Sequence, residues 1–254
     1  MYRNKEAGKN TISPNMFDRD QIEAICEATT NAYIEMRLEE GQATTQIDIE
    51  KLVKEQLGCD IVYENITDDE DCIGFAADGR ESLRVIRDGQ EVEVVFPKDT
   101  IVLDKYLNEP CQINRKRFTI GHEAGHVIKA RVFGSRGGHY CHSGSGVLNN
   151  PRDLKKRFSA SEPEANNFAA GLLMPKCLVD LLMDKFYGDQ KIVKYPNNIL
   201  DGYDADNIRA MATILGVSYT AMFIRLKTLG HIVDGDLDTY MEDIVFGDSD
   251  HERS

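Results

Sequence analysis

Between Phe118 and Ile128 the chain is largely apolar, yet it contains His122, Glu123 and His126, three side chains that are costly to bury alone. Any fold that takes this segment inside must give those polar groups a shared task. On a helix, two residues four apart lie on one face about one turn apart, so two imidazoles can be aimed at one ion. Glu123, beside the first histidine, can reach a water on the open side of that ion and act on it as a general base. The His-Glu-x-x-His spacing therefore points to a metal site, zinc by its donor types. The competing reading is a surface helix with two solvated histidines. Gly121 and Gly125 argue against it. Each costs a helix about 1 kcal/mol relative to alanine, which predicts a neighbouring strand or helix backbone packed close against them.

A catalytic zinc takes a third protein ligand and keeps a fourth position open. The extended pattern with a third histidine is absent, because Lys129 and Val132 stand where it requires Gly and His. The third ligand is then expected from a second helix, within Ser161–Pro175. Glu164 lies there beside an apolar stripe of Ala165, Phe168, Ala169 and Leu172, where an unpaired carboxylate would be destabilising. Local sequence also allows another role, since Ser161-x-x-Glu164 is a capping box. Both readings stay open at this level. Glu162, at the helix entrance beside Pro163, is the weaker ligand candidate.

The rest of the chain predicts an α+β fold with a small, mostly antiparallel sheet ahead of the motif helix. Ile22, Ile25, Cys26, Tyr33 and Met36 keep helical spacing from Asp18 to about Glu39, and a second helix from Ile47 to Leu57 should stop at Gly58. Short β-rich runs follow at 61–63, 73–75, 83–86, 92–96 and 101–103, with an Asp88-Gly89 hairpin turn between the third and fourth. Beyond Arg115 the pattern is mainly helical to about residue 230. One domain over 16–200 is expected, with a helical hairpin at 201–232 packed on it. A polar lead-in at 1–15 and an acidic tail at 233–254 are expected to be disordered.

Charge narrows the partners. The formal net charge of −13 disfavours nucleic acid and anionic lipid and suits a basic protein or peptide. No stretch approaches the ~20 apolar residues of a membrane helix, and no apolar signal segment opens the chain. Six scattered cysteines without a C-x-x-C pair read as reduced thiols, so the expected compartment is the cytoplasm.

Two longer runs carry a resemblance. Arg117-Phe118-Thr119-Ile120-Gly121-His122-Glu123-Ala124-Gly125-His126 resembles the R-F-T-x-A-H-E-x-G-H signature of the ImmA/IrrE metallopeptidases, and Glu164–Pro175 is similar to their E-A-N-x-F-A-A-x-L-L-M-P signature. The likeness covers about residues 45–232. It implies a zincin-like peptidase core in which His122, His126 and Glu164 bind Zn2+ and Glu123 is the catalytic base. It also implies a cytoplasmic endopeptidase that cleaves a regulatory protein, in this family often a helix-turn-helix repressor. Gly121 departs from the signature alanine, and Glu164 lies 38 positions after His126, further than the family pattern leads one to expect. The added length holds a Gly/Ser-rich loop, 136–146, a candidate to cover the site or contact substrate. Its His139, Tyr140 and His142 are candidate substrate or oxyanion contacts, and the plainer reading is a surface loop.

Ala212 to Leu229 resembles a helix-turn-helix, with Ala212 and Gly216 four apart and a second helix from Ser218. That second helix has only Arg225 and Lys227 as basic residues, so packing is expected and direct DNA binding is disfavoured. The alternative function is a non-proteolytic, zinc-stabilised regulatory protein or toxin/antitoxin-type interaction module.

Overall fold

Strong local signals set the elements in a computed structural model that describes residues 16–67, 72–134, 139–142, 162–196 and 199–236, the backbone alone at 139–142. Helix α1 (Arg19–Glu39) begins at a capping box in which Asp18 and Gln21 satisfy each other's backbone N–H. Its buried residues, Ile22, Cys26, Thr30, Tyr33 and Arg37, recur every three or four positions and form one stripe. Asp48 caps α2 (Ile49–Leu57), and Gly58 ends it in the left-handed conformation, φ 60°.

Strands β1 (Asp60–Ile66), β2 (Cys72–Ala76), β3 (Ser82–Arg87), β4 (Gln90–Val95) and β5 (Thr100–Asp104) come next. The β3–β4 turn is the two-residue Asp88-Gly89, both at positive φ, as a tight hairpin requires. Two short 3-10 turns lead into α3 (Ile113–Phe133), and β6 (His139–His142) follows. The remainder comprises α4 (Glu162–Leu173), α5 (Lys176–Tyr187), β7 (Ile192–Lys194), α6 (Gly202–Leu215), α7 (Tyr219–Thr228) and β8 (Ile232–Asp234).

The six strands order as β4-β3-β1-β5-β2-β6, with β1–β5 parallel and the other four neighbour pairs antiparallel. A small mixed sheet within an α+β chain is thus present. Two features differ from the sequence expectation. The loop at 136–146 contains β6, a strand that enters the sheet after the motif helix, and β7, inside the region expected to be helical, forms a short parallel pair with β8, which runs into the stretch expected to be the acidic tail. Four-residue and three-residue strands flanked by Gly, Ser and Lys carry too little periodicity to be recognised locally. The expected lead-in, most of the tail, Ser161 and most of the Gly/Ser-rich loop lie outside the described residues.

Alternation divides the sheet's central strands between two cores. Ala76, Ile101 and Leu103 join the large cluster beneath the helices, whereas Phe75 and Val102 join Leu83, Val85 and Phe96 on the opposite face. Residues of α6 and α7, including Ile208, Met211, Leu215, Met222 and Leu226, belong to that same large cluster. Arg225 is buried and pairs with Glu23, at 2.7 and 2.5 Å, while donating to the Met174 carbonyl. One of the two basic residues of the helix-turn-helix look-alike therefore serves packing. No single helix among the described residues is long and apolar enough to cross a membrane.

Candidate metal centre

Ten consecutive α3 residues, Thr119 to Ile128, are buried, so this helix is enclosed on all sides. Its glycines admit α4. A Cβ on Gly121 would lie 3.0 Å from Ala169 Cα, and one on Gly125 would lie 3.1 Å from Ala165 Cα and 2.8 Å from Phe168 Cβ. The later α3 residue meets the earlier α4 residue, so the helices run antiparallel at close backbone contact, which accounts for both glycines. At the N-terminal end of α3, Arg117 donates to the carbonyls of Gly216 and Leu215 at 2.9 and 3.2 Å, anchoring the end of α6.

The same antiparallel register brings polar groups together. His122 Nε2 and His126 Nε2 lie 3.1 Å apart. Glu162 Oε2 is 3.2 Å from the first, and Oε1 is 3.5 Å from the second. These three residues form a cluster of potential metal ligands whose donor atoms lie within 4.8 Å of one another. A tetrahedral ion with bonds of 2.0–2.1 Å would set its donors roughly 3.3 Å apart, and the three separations bracket that value. Asn166, one turn beyond Glu162, receives a hydrogen bond from His122 Nδ1 at 2.9 Å. An amide oxygen can only accept, so Nδ1 carries the proton and Nε2 of the neutral ring presents its lone pair to the cluster. The residues thus fit a metal ion; its identity is a separate matter.

Glu164 is not at this cluster. Two positions along a helix point to different sides, so Glu162 and Glu164 cannot both face the histidines. Glu164 instead pairs with Lys129, and its Oε1 accepts from the Phe17 backbone N–H at 2.6 Å. Phe17 packs against Phe133 and Phe168, so this carboxylate ties the start of the described chain to α3 and α4. The expected third ligand is corrected accordingly, from Glu164 to Glu162. Two sequence signals pointed this way: the four-residue Glu162–Asn166 spacing, which mirrors His122–His126, and Lys129 one turn past His126 as a ready partner for Glu164.

Glu123 is completely buried, and among the described residues neither carboxylate oxygen has a hydrogen-bond partner of normal geometry. Burial pushes its pKa up to about 8; His122 opposes this, Glu162 adds to it, and the nearby Ala76 backbone N–H opposes it without offsetting burial. Burial works against charge on His122 as well, but the hydrogen bond to Glu162 and the charges of Glu123 and Glu162 outweigh it and raise that pKa. Strand β2 lies directly on this carboxylate: a Cβ on Gly74 would sit 2.9 Å from Glu123 Oε1 and 2.7 Å from Thr119 Cγ2. At this position only glycine leaves room for the acid.

The backbone of His139, Tyr140 and His142 forms β6, paired with β2 beside Glu123; their side chains lie outside the described structure. No protein-family model matches the chain, and no curated protein is significantly similar to it.

Proposed function

We propose that the chain is a cytoplasmic zinc-dependent endopeptidase of the ImmA/IrrE type with a zincin-like core, acting on a regulatory protein. The observation that carries this reading is Glu123, a fully buried carboxylate beside three convergent donors, with no side-chain hydrogen-bond partner among the described residues. A purely structural zinc site closes with four ligands and needs no such acid. The first of the two runs that resemble the family's signatures supplies His122 and His126, and Glu162 stands two residues before the second run.

His122, His126 and Glu162 would hold the ion, and Asn166 would fix the tautomer of His122. When bound, zinc supplies Lewis acidity toward the scissile carbonyl and makes a water easier to deprotonate. Glu123 takes a proton from the attacking water as its oxygen adds to the carbonyl carbon. It then delivers that proton to the amide nitrogen as the C–N bond breaks. One water is consumed, leaving a carboxylic acid and an amine. The −13 charge suits a basic substrate, and a DNA-binding repressor is the substrate class it favours.

The test is co-expression with the repressor-like product of a neighbouring gene, wild type against Glu123→Gln. A cut fragment with the wild type, none with the variant and equal zinc content in both is expected. Equal function in both, with no fragment, would replace the peptidase with the zinc-stabilised interaction module.

A further inference from the structure

We propose that β6 is a built-in strap: it occupies the lane beside β2 that an extended substrate segment would use, and so holds the chain latent until it is displaced. This rests on the peptidase reading and adds to it how the site is kept closed.

Strand β2 is the stretch of sheet that borders the acid, with Gly74 in contact with Glu123 and the Ala76 N–H facing the same carboxylate. A peptide bond presented to a water at Glu123 must therefore lie alongside β2. One side of β2 is committed to β5, where Gly74 pairs with Leu103, Phe75 with Val102 and Ala76 with Ile101. Its other side is the lane where an incoming extended chain would find main-chain hydrogen bonds. That lane holds β6, antiparallel, with Cys141 opposite Gly74, Tyr140 opposite Phe75 and His139 opposite Ala76. Strand β6 also borders α3.

Burial agrees with a covered site. Glu123 has no exposed surface, and His122 and His126 are each 1% exposed, so a substrate carbonyl cannot reach them in this arrangement. The strap is also weakly held by design of length: four residues pair, and the register shifts between Cys72 and Gly74. An incoming strand would replace its hydrogen bonds like for like, so exchange sacrifices little. The substrate feature selected is then an extended segment with unpaired backbone, rather than a helix face.

The zinc-loaded full chain tests this with two variants and two readouts. Cys141→Pro fixes φ within the four-residue pairing, away from the extended strand value, and so loosens the strap. His142→Cys places a thiol opposite native Cys72, so that oxidation can pin β6 to β2 and dithiothreitol can release it, with His142→Ser controlling for loss of the imidazole. The readouts are the rate of zinc removal by a chelator and the cleavage of fluorescein-labelled casein. Cys141→Pro is expected to raise both at least tenfold. Oxidised His142→Cys is expected to lower both at least tenfold relative to its reduced form. Should Cys141→Pro fail to fold, the oxidised-to-reduced ratio decides alone. Unchanged or slower zinc removal in a folded Cys141→Pro, or equal rates in oxidised and reduced His142→Cys, would overturn the strap. Zinc removal that shifts as expected while no variant cleaves casein would uphold the strap's covering of the metal and count against the peptidase reading.

Discussion

Replacing Glu123 with glutamine should change how the stability of the metal-free chain depends on pH. Burial moves the folded pKa of this acid from an ordinary 4.5 to about 8. Between those values the folded chain holds a proton that the unfolded chain has released, so stability falls by about 1.4 kcal/mol per pH unit. From pH 5.5 to 7.5 the wild type should lose about 2–3 kcal/mol through this group alone. His122 acts with the same sign: its folded pKa is raised, so its contribution is fully present below its ordinary value and fades as pH rises through the folded one. Glu123→Gln cannot release a proton, so its profile over this range should be flatter. Any fixed cost of burying the amide shifts the whole curve without altering its slope. Urea unfolding in excess chelator at the two pH values, for both chains, gives the double difference and cancels every other titrating group. Parallel profiles would refute the assignment of Glu123 as an acid forced neutral by its surroundings.

Other outcomes separate the roles of neighbouring residues. Glu162→Ala should weaken zinc binding at least a hundredfold by competition with a chromophoric chelator. Glu164→Gln should leave zinc affinity within a few-fold of wild type but destabilise the chain by about 2 kcal/mol, because Lys129 loses its buried partner. Asn166→Ala, which frees the His122 ring, should weaken zinc binding 10- to 100-fold with little change in unfolding midpoint. Gly125→Ala should destabilise the chain by about 1–3 kcal/mol in thermal or urea unfolding, since the added methyl meets backbone as well as Phe168.

Part of the fold is legible in the residues alone. The stop at Gly58 and the Asp88-Gly89 turn are local chemistry and fall where their residue types require, whereas α2, expected from Ile47, starts two residues later at the Asp48 cap. The short β-rich runs at 61–63 and 101–103 identify strands, but pairing is a tertiary matter, and the parallel pairing of β1 with β5 cannot be read from either strand. The site divides in the same way. His122, Glu123 and His126 share one helix, so their spacing was sufficient. Choosing between Glu162 and Glu164 required the phase of α4 against α3, which depends on where Gly121 and Gly125 let the two helices meet. Apolar flanks make an isolated Glu164 costly to bury, and Lys129, which removes that cost, lies on α3, far away in sequence.

The glycine contacts between α3 and α4 have a consequence for how this chain tolerates insertion. Two rods held backbone to backbone fix the His122–Glu162 and His122–Asn166 separations through a rise of 1.5 Å per residue along each helix, so a slip of one step in either would dismantle the cluster. The connection between the rods has no such duty. Its closure entropy grows only with the logarithm of its length, by about 0.6 kcal/mol for each doubling. Positions 134–161, which join the two helices, therefore lie outside the tolerances of the metal centre. That stretch of chain is free to be long, and β6 is what it carries back to the sheet.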